Sequence, residues 1–357
     1  MVNTSQFKFD KQQTMRCGLQ VRNAFVLAPL DLQLSLFDGT VSRNDLWFHQ
    51  QHSQTVGLDI VGSAYVNVCA STASGSISVA NDDTIAGLHQ LAQRIHQQGA
   101  RAILQLSHAG QRAYVDYRYR TAMGPSPTAT SVAMNRFEIQ QVIIDFGRAT
   151  ERAIQAGFDG VELQGANRFL LQQFMSPYTN HRQDEFGGSL ANRVRVPIQI
   201  VQRVQQVVAH TAQRPFAVGY RLSPEERQPG GLRLIDTLVL AHLLEALQID
   251  YLSLSLHQYH QPAVTGYTVS PVIQIFHDQL KTLPLMVAGG IRNQRDLLTL
   301  AEESEWVALG KPMIFNPDWP KDRRCDIEQM QLMTSPEDLG ISPTYVRQLL
   351  HKGGVVK

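Results

Sequence analysis

The chain is 357 residues long and 43% hydrophobic, and its 32 Lys and Arg nearly balance 31 Asp and Glu to leave a net charge of +1. That size can bury a large core, while the near-neutral balance excludes an electrostatic footprint for nucleic acid or for an anionic membrane surface. No run of about 18 apolar residues is present, so no membrane-spanning helix is expected.

In chain order, the opening MVNTSQFKFDKQQ lacks the basic-then-apolar layout of a secretory signal. Short apolar runs then follow at 25–30, 58–64, 101–106, 160–163, 216–222, 251–256, 284–288 and 306–309. Most are rich in Val, Ile and Leu with little alternation, as strands covered on both faces should be. Between them, 85–97, 142–156, 190–206 and 235–247 carry apolar residues at three- and four-residue spacing and read as helices. Gly99 and Gly157 stand where two of these helices should close. The last residues, 321–357, read as a C-terminal helical tail, with Thr334-Ser335-Pro336-Glu337 as a cap and 345–350 as a helix.

Eight strands with intervening helices predict a single α/β domain over 1–320, a (β/α)8 TIM barrel, rather than a doubly wound sheet. The doubly wound fold would place a Gly-x-Gly-x-x-Gly turn after its first strand, but Leu30 is followed by Asp31-Leu32-Gln33-Leu34. Barrel chemistry belongs to the loops after the C-terminal strand ends. The longest of these, 107–140 after the third strand, is expected to cap the mouth. Cys17, Cys69 and Cys325 match neither a zinc spacing nor a disulfide framework and suit a reducing, cytoplasmic setting.

The polar run Gln164-Gly165-Ala166-Asn167 ends the fourth strand. Two side-chain amides three residues apart at the end of a buried strand are costly to hide without partners, so they are expected to face a ligand cavity. Glycines also cluster after the last two strands, as Gly289-Gly290 and as Gly310-Lys311, where barrels commonly bind phosphate through backbone N–H groups.

The segment 157–193, GFDGVELQGANRFLLQQFMSPYTNHRQDEFGGSLANR, resembles the signature of the old yellow enzyme family, the flavin-dependent ene-reductases and NADH:flavin oxidoreductases. The resemblance spans about residues 5–320 and is also strong at 101–110 and 283–319, where Phe315-Asn316-Pro317-Asp318-Trp319 looks like a family tail motif. It implies an FMN-dependent oxidoreductase. Hydride would pass from NADH or NADPH through the flavin to a small-molecule acceptor such as an α,β-unsaturated carbonyl, a quinone or a related electrophile. In some relatives the C-terminal tail reaches a partner subunit, which leaves a homo-oligomer open.

Site residues follow from the same resemblance. Pro29 and Leu30 would pack against the isoalloxazine ring, with Ser63 on the second strand also at the cofactor. Asp31 stands where the family usually has Thr or Cys; an ionised carboxylate there would repel anionic reduced flavin, so it is expected to point away. Gln105, in Gln-Leu-Ser-His-Ala-Gly, would meet the flavin's pyrimidine edge with an amide that both donates and accepts. Arg221, in Gly-Tyr-Arg-Leu-Ser, would stabilise negative charge on the reduced ring, its alternative being a barrel-floor salt bridge. Gly289, Gly290, Gly310 and Lys311 would hold the phosphate, with Lys311 lacking the fork of the family's usual arginine.

The substrate side departs from the family. Gln164 and Asn167 stand where paired donors polarise the acceptor oxygen, and both can still donate. Phe169 replaces the tyrosine that protonates the substrate carbon. Replacement acids are sought among Tyr65, His108, Tyr114, His257, Tyr259 and His260. Arg168 replaces a glycine and, with Arg112, would bind a substrate carboxylate or a nucleotide phosphate if it faces the cavity, and is otherwise a plain surface arginine. The altered site leaves a second reading, a flavin-binding sensor with impaired turnover. A flavin-free lyase or isomerase would need a base that neither Gln164 nor Asn167 supplies.

Overall fold

The computed structural model describes residues 7–114, 121–264 and 269–323, together with Ile341. Eight strands close a barrel: Phe25–Leu27 (β1), Leu58–Tyr65 (β2), Arg101–Ser107 (β3), Gly160–Gly165 (β4), Ala217–Leu222 (β5), Tyr251–Ser255 (β6), Leu285–Ala288 (β7) and Trp306–Leu309 (β8). Each pairs in parallel with the next, and β8 returns to β1 through Val307–Phe25, Ala308–Val26 and Leu309–Leu27. The predicted (β/α)8 barrel is the observed one. Nearly every strand residue is buried, because helices cover the outer face and side chains fill the lumen.

Local chemistry moves several element boundaries from those expected. The first strand stops at Leu27 rather than at residue 30: Ala28 N still donates to Leu309 O at 3.0 Å, but Pro29 has no N–H with which to continue the ladder. The helix expected at 142–156 begins earlier and spans Arg136–Gln155, because Asn135 and Glu138 form a capping box at its start. The helix expected at 190–206 divides into Leu190–Arg193 and Arg195–Thr211. Pro197 lies in the first turn of the second piece, a position that tolerates a missing N–H, and it prevents continuity with the preceding turn.

The connection after β3 contains a two-stranded parallel ribbon, Ala122–Gly124 with Ser131–Ala133. It is fastened to the connection after β4 by Arg182, whose Nη1 donates to Pro125 O at 3.0 Å and Met134 O at 2.6 Å. Cys325 and the helical tail expected at 321–357 lie outside the described residues apart from 321–323 and Ile341. No described helix is long and apolar enough to cross a membrane.

Strand register decides which polar side chains meet in the lumen. Gln105 on β3 is level with Glu162 on β4, and Gln164 on β4 is level with Arg221 on β5, itself level with Ser253 on β6. Register partners on parallel strands share a face, so these residues project to one side. At Gly219 an added Cβ would sit 2.2 Å from the Tyr251 ring, so glycine leaves the space which that ring occupies.

Candidate active site

The mouth begins at the end of β1. Leu32 N donates to Leu30 O at 2.9 Å in a tight turn that carries Asp31 towards the connection after β2. There the Asp31 carboxyl accepts from Thr72 Oγ1, and from Ser76 Oγ at 3.4 Å. Burial raises the Asp31 carboxyl above the usual carboxylate range, and the two hydroxyls work against that rise. Ser63 is buried on β2 beside Gly62, where an added Cβ would be 2.9 Å from the Gln105 Cβ. Glycine therefore lets β2 lie close against Gln105.

Gln105, Glu162, Gln164 and Arg221 form one polar layer. Gln105 Nε2 donates to Glu162 Oε1 at 2.6 Å, and Gln105 Oε1 accepts from Gln164 Nε2 at 3.3 Å. Arg221 Nη2 donates to Ser255 Oγ at 3.2 Å, while its Nε and Nη1 are buried with no partner. The salt bridge weighed as its alternative role does not form, since no carboxylate is in ion-pair contact with it among the described residues. Burial raises the Glu162 carboxyl, opposed by the Arg221 charge and the Gln105 bond. A buried guanidinium with two idle donors is costly unless an acceptor arrives. Glu162 had not been singled out from the sequence, although a lone carboxylate inside the apolar run Gly160–Gly165 was a usable signal.

The two amides at the end of β4 occupy different environments. Gln164 is 4% exposed, and its Oε1 also accepts from Ala166 N at 3.1 Å, so both ends of the amide have internal partners. Asn167 is exposed at the rim, where its Oδ1 accepts from Ser255 Oγ at 3.2 Å and its N–H donates to Ser223 Oγ at 3.0 Å. Asn167 and Arg168 have φ of 56° and 62°, left-handed values unusual outside glycine. Arg112 Nη1 donates to Asn167 O at 2.6 Å, bringing the third loop onto this turn.

Phe169 is buried at the N-cap of the short helix Leu170–Met175. Leu170 N donates to His108 O at 2.9 Å, so His108 lies beside that helix start. Its Nδ1 accepts from Gly110 N at 3.0 Å, its Nε2 is buried without a partner, and burial pushes its pKa down to about 3. The other proposed acids are placed less suitably. The Tyr65 hydroxyl donates to Asp38 O at 2.8 Å, and Tyr259 donates to Asp296 at 3.0 Å. Tyr114, His257 and His260 are exposed.

The glycine turns stand at the ends of β7 and β8. Gly289 has φ 141° and Gly290 φ 67°; an added Cβ would meet Leu256 O at 2.2 Å or Gln258 Oε1 at 2.1 Å. Gly289 has no room for a side chain because the clash is with backbone, whereas at Gly290 a side chain would strain the left-handed turn and displace Gln258. At Gly310 an added Cβ would meet nothing nearer than Leu30 Cδ2 at 3.6 Å, so this turn opens towards the end of β1. Lys311 follows at the start of the helix Lys311–Phe315. The N–H groups of Gly289, Gly290 and Gly310 find no acceptor among the described residues. The barrel thus brings Leu30 and the Gly310 turn together on one side, and Gln105, Gln164 and Arg221 on another. No cluster of metal-ligating side chains occurs among the described residues.

The profile of the NADH:flavin oxidoreductase / NADH oxidase family matches residues 16–329. An NADH:acrylate oxidoreductase from Vibrio harveyi is 33% identical over 344 residues, covering 90% of this chain and 34% of that protein. The chain therefore spans about a third of the length of that relative. A probable NADH-dependent flavin oxidoreductase from Bacillus subtilis is 34% identical over 315 residues, covering 86% of this chain and 85% of that one. Among solved structures, morphinone reductase in complex with tetrahydroNAD superposes with a TM-score of 0.76 at 25% identity, covering 93% of each chain.

Proposed function

The chain belongs to the NADH:flavin oxidoreductase / NADH oxidase family, and on that premise we propose that it is an FMN-dependent oxidoreductase that passes hydride from NADH or NADPH to a small electrophilic acceptor. The acceptor class is an α,β-unsaturated carbonyl, a quinone or a related electrophile. The observation that carries this reading is Arg221, a buried cation with two unpartnered donors beside the ordered Gln105 amide. Such a site suits a planar ligand edge that presents oxygen and nitrogen acceptors and gains negative charge on reduction.

The residues fit the cofactor in three places. Arg221 and Gln105 would hold the pyrimidine edge, with Glu162 fixing the orientation of the Gln105 amide. Pro29 and Leu30 would contact the ring, and Ser63 lies on the neighbouring strand. The N–H groups of Gly289, Gly290 and Gly310, with Lys311, would take the phosphate. Asp31 is engaged with Thr72 and Ser76, which spares the cofactor a second negative charge.

Bound FMN supplies reversible hydride storage between nicotinamide and acceptor. For the acceptor, Asn167 on the rim would donate to the oxygen and draw electron density from the carbon that receives hydride. Gln164 would join only by turning from Gln105, a contact already long at 3.3 Å. Phe169 offers no proton, so solvent or another group must complete the addition. A second reading, a flavin-holding sensor with slow turnover, is favoured by the internal engagement of Gln164 and the loss of an acid at Phe169.

The deciding experiment is an anaerobic visible spectrum of the FMN-loaded protein before and after NADPH and then NADH. Bleaching establishes the reductive half-reaction. Bound FMN that stays oxidised favours the sensor, and failure to bind FMN overturns both readings.

A further inference from the structure

Two arginines at the mouth make no ion pair among the described residues. Arg112 is exposed in the turn Gly110–Arg112, and the hydrogen bond from its guanidinium goes to a carbonyl, Asn167 O at 2.6 Å. Arg168 follows Asn167 and bonds through its backbone: its N–H donates to Gln172 Oε1 at 2.8 Å and its carbonyl accepts from Gln173 Nε2 at 2.7 Å, and its guanidinium makes no hydrogen bond among the described residues. Neither guanidinium meets a carboxylate among the described residues, in contrast to Arg182, Arg193 and Arg214, which all do. The two charges act on one another: burial and then Arg168 disfavour the protonated form of Arg112.

The backbone supplies an independent observation. Arg168 has φ 62° directly after Asn167 at 56°, a conformation that glycine adopts without steric penalty and arginine does not. Strain of this kind persists where surrounding bonds hold it, and here Ser223, Ser255, Gln172 and Arg112 do so. The fold thus maintains a second cation in a strained turn beside a first, next to the exposed Asn167 amide.

We infer that Arg112 and Arg168 form an oxyanion subsite at the barrel mouth, taking the carboxylate of the acceptor or a phosphate of the nicotinamide nucleotide. This deepens the proposed oxidoreductase function and rests on it. An anion between the guanidiniums would replace like-charge repulsion with charge-assisted hydrogen bonds. It would also tether its carrier within reach of Asn167.

The test is calorimetric titration of the FMN-loaded protein with monomethyl fumarate, its uncharged dimethyl ester, and NAD⁺, in wild type, Arg112→Gln and Arg168→Gly. Arg168→Gly removes the charge and relieves the left-handed turn, so its fold is secure. If the acceptor carboxylate occupies the subsite, wild type binds the monoester at least about tenfold tighter than the diester, and either substitution erases the difference. A tenfold weakening confined to NAD⁺ assigns the subsite to nucleotide phosphate. Equal affinities for every ligand in all three proteins overturn the proposal. FMN content and bleaching by NADH, read on the same wild-type sample, report separately on the flavoenzyme reading.

Discussion

Gln105 Nε2 and Glu162 Oε1 are 2.6 Å apart across the β3–β4 seam, and the bond dictates which end of the Gln105 amide is left for other partners. With its nitrogen committed to Glu162, Gln105 presents its oxygen, which Gln164 now occupies at 3.3 Å. The same carboxylate lies within electrostatic reach of Arg221. A cation and an anion are thereby held in the lumen without direct contact, and the cation keeps two donors in reserve.

Arg221→Met is expected to act unequally on the free and loaded proteins. Without FMN, losing two unsatisfied buried donors offsets the lost attraction to Glu162, so stability changes by no more than about 1 kcal/mol. FMN affinity falls by about 10²-fold, since two charge-assisted bonds are lost. Thermal unfolding with and without FMN, together with flavin-fluorescence titration, measures both. An apo-protein destabilised as strongly as the holo-protein would assign Arg221 a purely structural role.

The glycine turns predict a contrast between two alanine substitutions. Gly289→Ala brings a methyl within 2.2 Å of Leu256 O at φ 141° and destabilises the fold by about 2 kcal/mol or more. Gly310→Ala meets only Leu30 at 3.6 Å, so the fold tolerates it with a change of about 1 kcal/mol or less. It nonetheless fills the space facing the end of β1, and FMN affinity is expected to drop at least about tenfold. Chemical denaturation and FMN titration of the two variants test the pair; unchanged FMN affinity in Gly310→Ala would place the phosphate elsewhere.

Phe169→Tyr adds a hydroxyl at the buried start of the helix Leu170–Met175. If proton delivery limits the oxidative half-reaction, turnover of an enone rises, up to the roughly 10²-fold lower bound of general-acid assistance. Stopped-flow reoxidation of the reduced flavin by the enone isolates this step. An unchanged rate with FMN still bound shows that protonation is not what slows the enzyme.

Two buried imidazoles make stability depend on pH. Burial pushes His108 down to about 3 and His52, stacked on Phe48 at 3.9 Å, down to about 4. The unfolded chain protonates both below about pH 6.5, whereas the folded protein does not, so the unfolded state binds more protons and stability is lost as the pH is lowered. From about pH 7 to about pH 5 the loss is about 2 kcal/mol for each residue. His49 acts in the other direction: despite burial, the Asp59 carboxylate 2.8 Å away holds its pKa above the ordinary value, and this returns part of the loss. Urea unfolding at the two pH values checks the slope, and His52→Leu is expected to remove about half of the contribution from the two depressed histidines. A pH-independent midpoint in the wild type would contradict the assignment.

Much of the barrel was legible because strand and helix patterns are local. Runs such as Leu285–Ala288 and Trp306–Leu309 are short, apolar and bounded by glycine, and they appear where periodicity placed them. Boundaries failed where one residue overrode the pattern: Pro29 ended β1 early, and the Asn135–Glu138 box started a helix six residues sooner than its apolar stripe. The site was legible as residue types at strand ends. Which partners they would choose was not, because Gln105 and Glu162 are 57 positions apart and meet only through strand register.

The sequence by itself determined the barrel, the family and the residues that differ from the family's pattern, since all three depend on residue identity and local spacing. Tertiary structure alone decided that Gln164 turns inward while Asn167 stays at the rim, that Asp31 gives its carboxyl to Thr72 and Ser76, and that Arg112 reaches the Arg168 turn. Each of those outcomes is a competition among donors and acceptors brought together by chain closure. Its result depends on distances that no single stretch of sequence contains.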